Sequence, residues 1–82
     1  MKYDFYADAG HGWLKVPISK LKELGIENKI SLYSYIKNNN AYLEEDCDAS
    51  LFIEVLGYKP KCKSIYHNGE SPIRSFSHYE SS

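Results

Sequence analysis

The residues with the most chemical potential form one acidic run, in which four carboxylates and a thiol occupy five consecutive positions: Glu44, Glu45, Asp46, Cys47 and Asp48. At the start of a helix, Asp46 or Asp48 would accept backbone N–H bonds and complement the helix dipole. The alternatives are a loose divalent cation site and a patch that faces a partner. A calcium-binding loop is excluded, because Leu51 and Gly57 stand where that loop needs its glycine and its bidentate glutamate. We therefore expect the run chiefly to cap a helix.

Patterns for catalysis and for metal binding are weak in this chain. Cys47 stands among carboxylates, which disfavour the thiolate that a nucleophilic cysteine requires. The three histidines and two cysteines include no pair at the spacing of a zinc motif. We expect no catalytic residue, no resident metal and no cofactor, and hence a protein that is not an enzyme.

Aromatic residues are the first candidate ligand contacts. His11 and Trp13 belong to a glycine-rich loop, where a ligand can approach the backbone and an indole offers a stacking face. Tyr33 and Tyr35 are two residues apart, so in a strand both rings would line one surface and could stack on bases or form a dimer seam. The alternatives are a plain hairpin turn with Trp13 in the core, and tyrosines packed beneath a helix.

Arg74 is the only arginine of the chain. Its guanidinium, with Asn68 and Ser71 nearby in sequence, could hold a phosphate or carboxylate by a forked contact. The alternative is an internal salt bridge to the acidic run. Which of the two applies decides whether Arg74 can serve a ligand.

Composition restricts the remaining classes. The 82 residues allow one small domain over 1–82, and eight tyrosines are a heavy aromatic load that favours contact surfaces. Ten basic and eleven acidic side chains lack the excess of positive charge typical of general nucleic-acid binders. No apolar run is long enough to span a membrane, and the N-terminus does not resemble an export signal. We expect a cytoplasmic protein with Cys47 and Cys62 reduced.

Periodicity and turn residues predict an α+β fold: two β-hairpins plus a C-terminal strand in a mainly antiparallel sheet, packed by two short helices. The predicted elements are a hairpin over 3–16, a helix from Pro17 that Gly25 ends, strands over 30–36 and 41–45 around the turn 38–40, a helix over 49–56 that Gly57 ends, an edge strand over 58–66, a short strand through Phe76, and a frayed end over 79–82.

Five segments together resemble a family of small proteins encoded by phages and mobile elements. They are Asp-x-Gly-His-Gly-Trp-Leu-x-Val at 8–16, Leu-Gly-Ile at 24–26, Tyr-Ser-Tyr at 33–35, Tyr-Leu-Glu-Glu-Asp-Cys-Asp-Ala at 42–49, and Asn-Gly-x-Ser-x-Ile-Arg at 68–74. The chain departs from the family pattern at Ala9, where proline is expected, at Ala41, where valine is expected, and in a shorter link after the second helix.

The resemblance implies an accessory role during infection, since small phage proteins of this kind often antagonise host defence. We expect a non-enzymatic, homo-oligomeric protein in the host cytoplasm that sequesters a small, anionic, nucleotide-derived immune signal. The expected ligand contacts are His11, Trp13, Tyr33, Tyr35, Asn68, Ser71 and Arg74, with polar contacts from Glu44, Glu45, Asp46 and Asp48. The alternative is a protein–protein inhibitor of a host defence factor, acting through the acidic patch 44–48.

Overall fold

Two helices lie against a six-stranded sheet in the computed structural model, which describes residues 2–69 and 71–80. The elements of these residues are, in chain order, β1 (Lys2–Ala7), β2 (Gly12–Pro17), α1 (Ile18–Glu23), β3 (Tyr35–Lys37), β4 (Asn40–Glu44), α2 (Asp48–Leu56), β5 (Lys61–Tyr66), a 3₁₀-helix (Pro72–Ser75) and β6 (Ser77–His78). The predicted α+β class, with two hairpins and a mainly antiparallel sheet, is confirmed.

The order of the strands across the sheet is β5-β1-β2-β4-β3-β6. β1 with β2 and β3 with β4 form the two antiparallel hairpins, and β2 pairs with β4 to join them. β6 pairs antiparallel with β3, whereas β5 pairs with β1 in parallel. β5 is therefore an edge strand, as its proximity to Pro60 predicts.

Residues with left-handed backbone conformation end both helices and turn the second hairpin. Asn38 and Asn39 have φ angles of 52° and 66°, which match the right-handed twist of a tight two-residue hairpin. Gly25 and Gly57 have φ angles of 72° and 88° just beyond α1 and α2, as predicted. Neither of the two described helices is long and apolar enough to cross a membrane.

The expected strand over 30–36 is wrong for most of its length, because β3 begins only at Tyr35. Ser31 donates its backbone N–H and its hydroxyl to the Asp48 carboxylate, and Ser34 donates its hydroxyl to the same oxygen. Polar side chains that bond nearby groups in this way compete with a sheet ladder. Residues 31–34 consequently form a turn over the start of α2.

The expected helix cap is also wrong. Cys47 occupies the position before α2, and no side chain caps the helix there. The carboxylate of Asp48 is directed to Ser31 and Ser34 instead, while the Asp46 backbone N–H donates to the carboxylate of Glu44 at 3.1 Å. Asp48 thus ties the turn 31–34 to the start of α2, and it does not cap the helix.

The C-terminal region differs from its prediction as well. The short strand expected through Phe76 begins just after it, as β6 (Ser77–His78), and a 3₁₀-helix precedes it. Ser71 caps this 3₁₀-helix by accepting the N–H of Ile73 at 3.3 Å. Tyr79 is buried, and its hydroxyl donates to the carbonyl of Glu27 at 2.6 Å, so the expected fraying is wrong at this residue. Residues 81–82 lie outside the described residues.

Alternation along the strands gives the sheet two different faces. The helical face contains a cluster built around Tyr3, Leu14, Val16, Leu21, Ile26, Ala41, Leu43, Ala49, Phe52 and Tyr79. The aromatic face contains Trp13, Tyr42 and Ile73, with Tyr6, Tyr35 and Phe76 packed against them. The helical face contains the main core, and the aromatic face carries the candidate site.

Candidate functional site

A cavity of about 370 Å³ opens at one end of the aromatic face. Its lining comes from β2 and the loop before it, β3 and the turn before it, the end of β4 and its link to α2, the 3₁₀-helix and β6. The lining residues are His11, Trp13, Tyr33, Tyr35, Glu44, Asp46, Cys47, Arg74 and His78. Aromatic rings, carboxylates and a guanidinium therefore meet in one space.

Arg74 is held in this wall by Asp8. The Nε and Nη2 atoms of Arg74 donate to the two carboxylate oxygens of Asp8 at 2.9 and 3.1 Å. The same carboxylate accepts the backbone N–H groups of Gly10, His11 and Ser71 at 2.9 to 3.0 Å. Asp8 thus ties the loop 8–12 to the segment 71–74, and the ion pair of Arg74 lies outside the acidic run.

The bonds to Asp8 also determine its charge. Hydrogen bonds from Arg74 and from the backbone of Ser71 hold the pKa of Asp8 well below the usual carboxyl value, although burial acts in the opposite direction. Asp8 therefore remains a carboxylate, and its side chain is only 2% exposed. Sequence reasoning missed this residue; the signal was the Asp-x-Gly turn, in which an Asp side chain commonly bonds the backbone two residues on.

Close packing explains the two glycines around His11. A Cβ atom at Gly12 would collide with the ring of Phe5, and one at Gly10 would lie 3.3 Å from Nη2 of Arg74. Both positions need the absence of a side chain so that neighbouring groups can approach the loop. The glycine-rich loop thus serves the placement of Phe5 and Arg74.

Two stacked ring pairs form the aromatic part of the cavity. His11 stacks on Trp13 with centroids 5.9 Å apart, and Tyr35 stacks on His78 at 5.0 Å. Trp13 and Tyr35 meet edge to face at 6.2 Å, and the guanidinium carbon of Arg74 lies 5.5 Å from the Trp13 ring centroid. The geometry joins both pairs and the cation into one surface suited to a flat ring.

Two polar groups on this surface have defined hydrogen-bonding states. Nη2 of Arg74 lies 3.0 Å from Nδ1 of His11, and because an arginine only donates, this nitrogen accepts. The proton of a neutral His11 ring is then on Nε2. The buried Nε1 of Trp13 has no hydrogen-bond partner among the described residues.

The acidic run divides between the two faces of the sheet. Glu44, Asp46 and the exposed, free Cys47 line the cavity. Glu45 lies on the other side, where it lines a second cavity with Phe5, Leu14 and Ile53 among others. Asp48 is buried under the turn 31–34. Only part of the run can therefore contact a ligand in the first cavity.

Five of the seven predicted ligand contacts line one cavity: His11, Trp13, Tyr33, Tyr35 and Arg74. Tyr33 lies in a turn and is 74% exposed, so it does not share a strand with Tyr35 as expected, yet both rings reach this cavity. Asn68 is exposed in the turn after β5, and Ser71 is buried as the cap of the 3₁₀-helix; neither lines the cavity.

The predicted contacts omit two lining residues, Cys47 and His78. Of the two, His78 contributes a ring to the cavity. It lies opposite Tyr35 in the pairing of β3 with β6, which no local pattern indicates for a two-residue strand. Within residues 2–69 and 71–80, no group of three or more His, Cys, Asp or Glu side chains is placed to hold a metal ion. The arrangement is that of a binding surface with stacking rings and both signs of charge.

Comparisons with known proteins find no similarity to this chain: no protein-family model matches it, and no curated protein or solved structure does either. The resemblance of its five segments to a phage-encoded family therefore stays a prediction.

Proposed function

We propose that the protein is a phage-encoded, non-enzymatic binding protein that counters host defence by sequestering a small nucleotide-derived immune signal in the host cytoplasm. The observation that carries this proposal is the cavity itself, where Arg74 lies against the stacked rings of His11 and Trp13 beside a second stacked pair. The phage origin and the role in defence rest on the family resemblance.

The proposed contacts follow the chemistry of the lining. A base or similar flat ring stacks against the exposed Tyr33 or the Tyr35–His78 pair, since every base has a π-face. A phosphate meets Arg74 and His11. Ribose hydroxyls or an exocyclic amine donate to the carboxylates of Glu44 and Asp46. Ionised carboxylates accept hydrogen bonds and cannot donate them. Asn68 and Ser71 are not part of this proposal, because they lie outside the cavity.

A homo-oligomer would strengthen such a site. An 82-residue domain has little volume for an enclosed pocket, and a second copy placed over the exposed Tyr33 would exclude water from the ligand. Light scattering coupled to size exclusion tests this part of the proposal, which expects a mass of at least twice the 9.5 kDa of one chain.

Calorimetric titration tests the binding proposal. The panel contains nucleoside monophosphates, cyclic nucleotides and ADP-ribose-type compounds, and we expect at least one of them to release or take up heat. Arg74→Lys keeps the charge but loses the forked geometry, so it should weaken binding of that compound. Lys63→Ala, on the exposed edge strand β5, is the matched control and should bind as the native chain does. Silence of the whole panel would refute the proposal.

A second candidate function, inhibition of a host defence protein through the acidic patch, is favoured by one observation. Leu32 and Tyr33 are 65% and 74% exposed, and Tyr33 lines the cavity with Asp46. An exposed apolar pair beside carboxylates is suited to a protein partner with a basic surface.

Capture from a host lysate separates the two candidates. The inhibitor predicts a co-purifying protein that Glu44→Lys or Asp46→Lys releases and high salt weakens, with little effect of Arg74→Lys. The ligand-binding function predicts the reverse ranking of these variants and a co-purifying small molecule detectable by mass spectrometry.

A further inference from the structure

The charges around the cavity restrict which nucleotide it can hold. Arg74 shares the cavity lining with the carboxylates of Glu44 and Asp46, and it is already paired with the carboxylate of Asp8. Among the described residues that line the cavity or pair with Arg74, three carboxylates thus accompany one guanidinium. Such a site can attract one negative group at Arg74 but repels each further negative charge brought near Glu44 or Asp46.

The carboxylates favour hydrogen-bond donors on the same ligand. Glu44 is half-buried and accepts the backbone N–H of Asp46, so its carboxylate is held in position, whereas Asp46 is exposed. When ionised, both carboxylates accept hydrogen bonds and cannot donate them. Sugar hydroxyls and the amino groups of bases are the matching donors. A second or third phosphate offers no such donor.

The size of the cavity adds an independent limit. Its volume of about 370 Å³ lies near the lower end of ligand pockets, which span roughly 300–1,000 Å³. That space suits one sugar, one base and one phosphate rather than two joined nucleosides.

We infer that the ligand is a single nucleoside unit that carries one phosphate group, and that Glu44 and Asp46 act as specificity-determining residues against di- and triphosphates. This inference rests on the proposed function, because it concerns the same cavity.

Titration calorimetry of the full chain with adenosine, AMP, ADP and ATP, repeated with the guanine and uracil series, tests the inference. Within the series that binds, we expect the monophosphate to bind more tightly than the triphosphate by about fivefold or more. The single variant Asp46→Asn and the double variant Glu44→Gln/Asp46→Asn should reduce the ratio of the two affinities. The triphosphate should bind these variants more tightly because a repelling charge is lost, and the monophosphate more weakly because a carboxylate acceptor is lost. Glu54→Gln, an exposed acid of α2 that does not line the cavity, should leave the ratio unchanged.

The outcomes separate this inference from the proposed function. A diphosphate or a triphosphate that binds the native chain at least as tightly as the monophosphate overturns the inference and leaves nucleotide capture standing. A preference for the monophosphate that both acidic variants retain in full overturns the role assigned to Glu44 and Asp46. Absence of binding by every nucleotide, with all variants folded by circular dichroism, removes both.

Discussion

The two faces of the sheet use the same strands for different purposes. On the helical face, Val16, Leu21 and Phe52 are fully buried among other apolar side chains. On the aromatic face, Trp13 is equally buried, but its neighbours include a histidine, an arginine and the edge of a cavity. The first face is filled mainly by apolar side chains, whereas the second leaves stacking rings and charges at an opening. The main core and the proposed ligand site therefore lie on opposite sides of one sheet.

The two faces also differ in the interactions that stabilise them. The cluster of the helical face is held by burial of apolar area, which is non-directional. The aromatic face depends on directional bonds, chiefly those from Arg74 and three backbone N–H groups to Asp8. Substitutions should therefore act by different routes on the two faces.

The largest effect is expected from Phe52→Ala on the helical face. Phe52 is fully buried and meets the ring of Tyr3 edge to face at 5.5 Å. Its truncation should lower the free energy of unfolding by about 3–5 kcal/mol, since the cavity left behind is only partly filled. Urea denaturation followed by circular dichroism measures the loss. Val55→Ala, on the exposed side of the same helix, is the control, and equal losses for both variants would contradict the assignment of the core.

A smaller loss is expected from Asp8→Asn on the aromatic face. The depressed pKa of Asp8 means that the unfolded chain binds this proton at a higher pH than the folded chain does. The contribution of Asp8 to stability is thus fully present above the ordinary carboxyl value of 3.8 and is lost as the pH falls below it. Urea midpoints measured from about pH 5 to about pH 2 should fall for the native chain and fall less steeply for Asp8→Asn.

The exposed variant Glu54→Gln is the control for that titration and should reproduce the native slope. An Asp8→Asn protein with native stability at neutral pH and a native slope in acid would show that the Asp8–Arg74 pair does not hold the aromatic face together.

The next effect concerns the loop between the two faces. The hydroxyl of Ser34 donates to Asp48 and accepts the backbone N–H of Glu44 at 3.0 Å. Ser34→Ala leaves both groups without this partner in a buried place, so it should lower the free energy of unfolding by about 1–3 kcal/mol. Ser50→Ala, at an exposed position of α2, serves as the control in the same urea experiment. A neutral Ser34→Ala would mean that other groups or water replace the hydroxyl.

The smallest effect on stability is expected from Tyr33→Ala. This variant best separates an effect on ligand binding from an effect on stability. Because Tyr33 is 74% exposed, its loss should change the free energy of unfolding by no more than about 0.5 kcal/mol. Loss of a stacking ring should nevertheless weaken ligand binding by about 1–3 kcal/mol, as calorimetry would measure. Tyr58→Ala, 58% exposed and outside the cavity lining, should leave both quantities unchanged. Parallel losses of stability and binding would show that the two roles are not separated.

Local signals predicted much of the fold. Both hairpins, both helices and their glycine ends follow from turn residues and apolar spacing, which act over a few positions. The strand expected over 30–36 was wrong because the hydroxyls of Ser31 and Ser34 bond a carboxylate 14 to 17 residues away. A pattern of alternating residues carries no information about such a partner.

The types of residue in the candidate site were predictable from the sequence, but the contacts between them were not. The rings of Trp13 and Tyr35 were recognisable from the glycine-rich loop and from the two-residue spacing of the tyrosines, and the charge of Arg74 was recognisable because the chain has no other arginine. The pairing of Arg74 with Asp8 was not predictable, because the two residues are 66 positions apart in sequence and the acidic run offers more carboxylates. His78 was missed for the same reason, because its place beside Tyr35 depends on a strand of two residues.

The parallel pairing of β1 with β5 has a consequence for the order of assembly. Residues 2–7 can pair with residues 61–66 only after most of the chain has been synthesised. The ion pair of Asp8 with Arg74 requires a still longer chain. Closing such long loops is entropically unfavourable and slows folding. We expect the antiparallel hairpins to form first and the cavity to be completed last. A nascent chain, or one that terminates before residue 74, would thus contain most of the sheet and none of the guanidinium that defines the site.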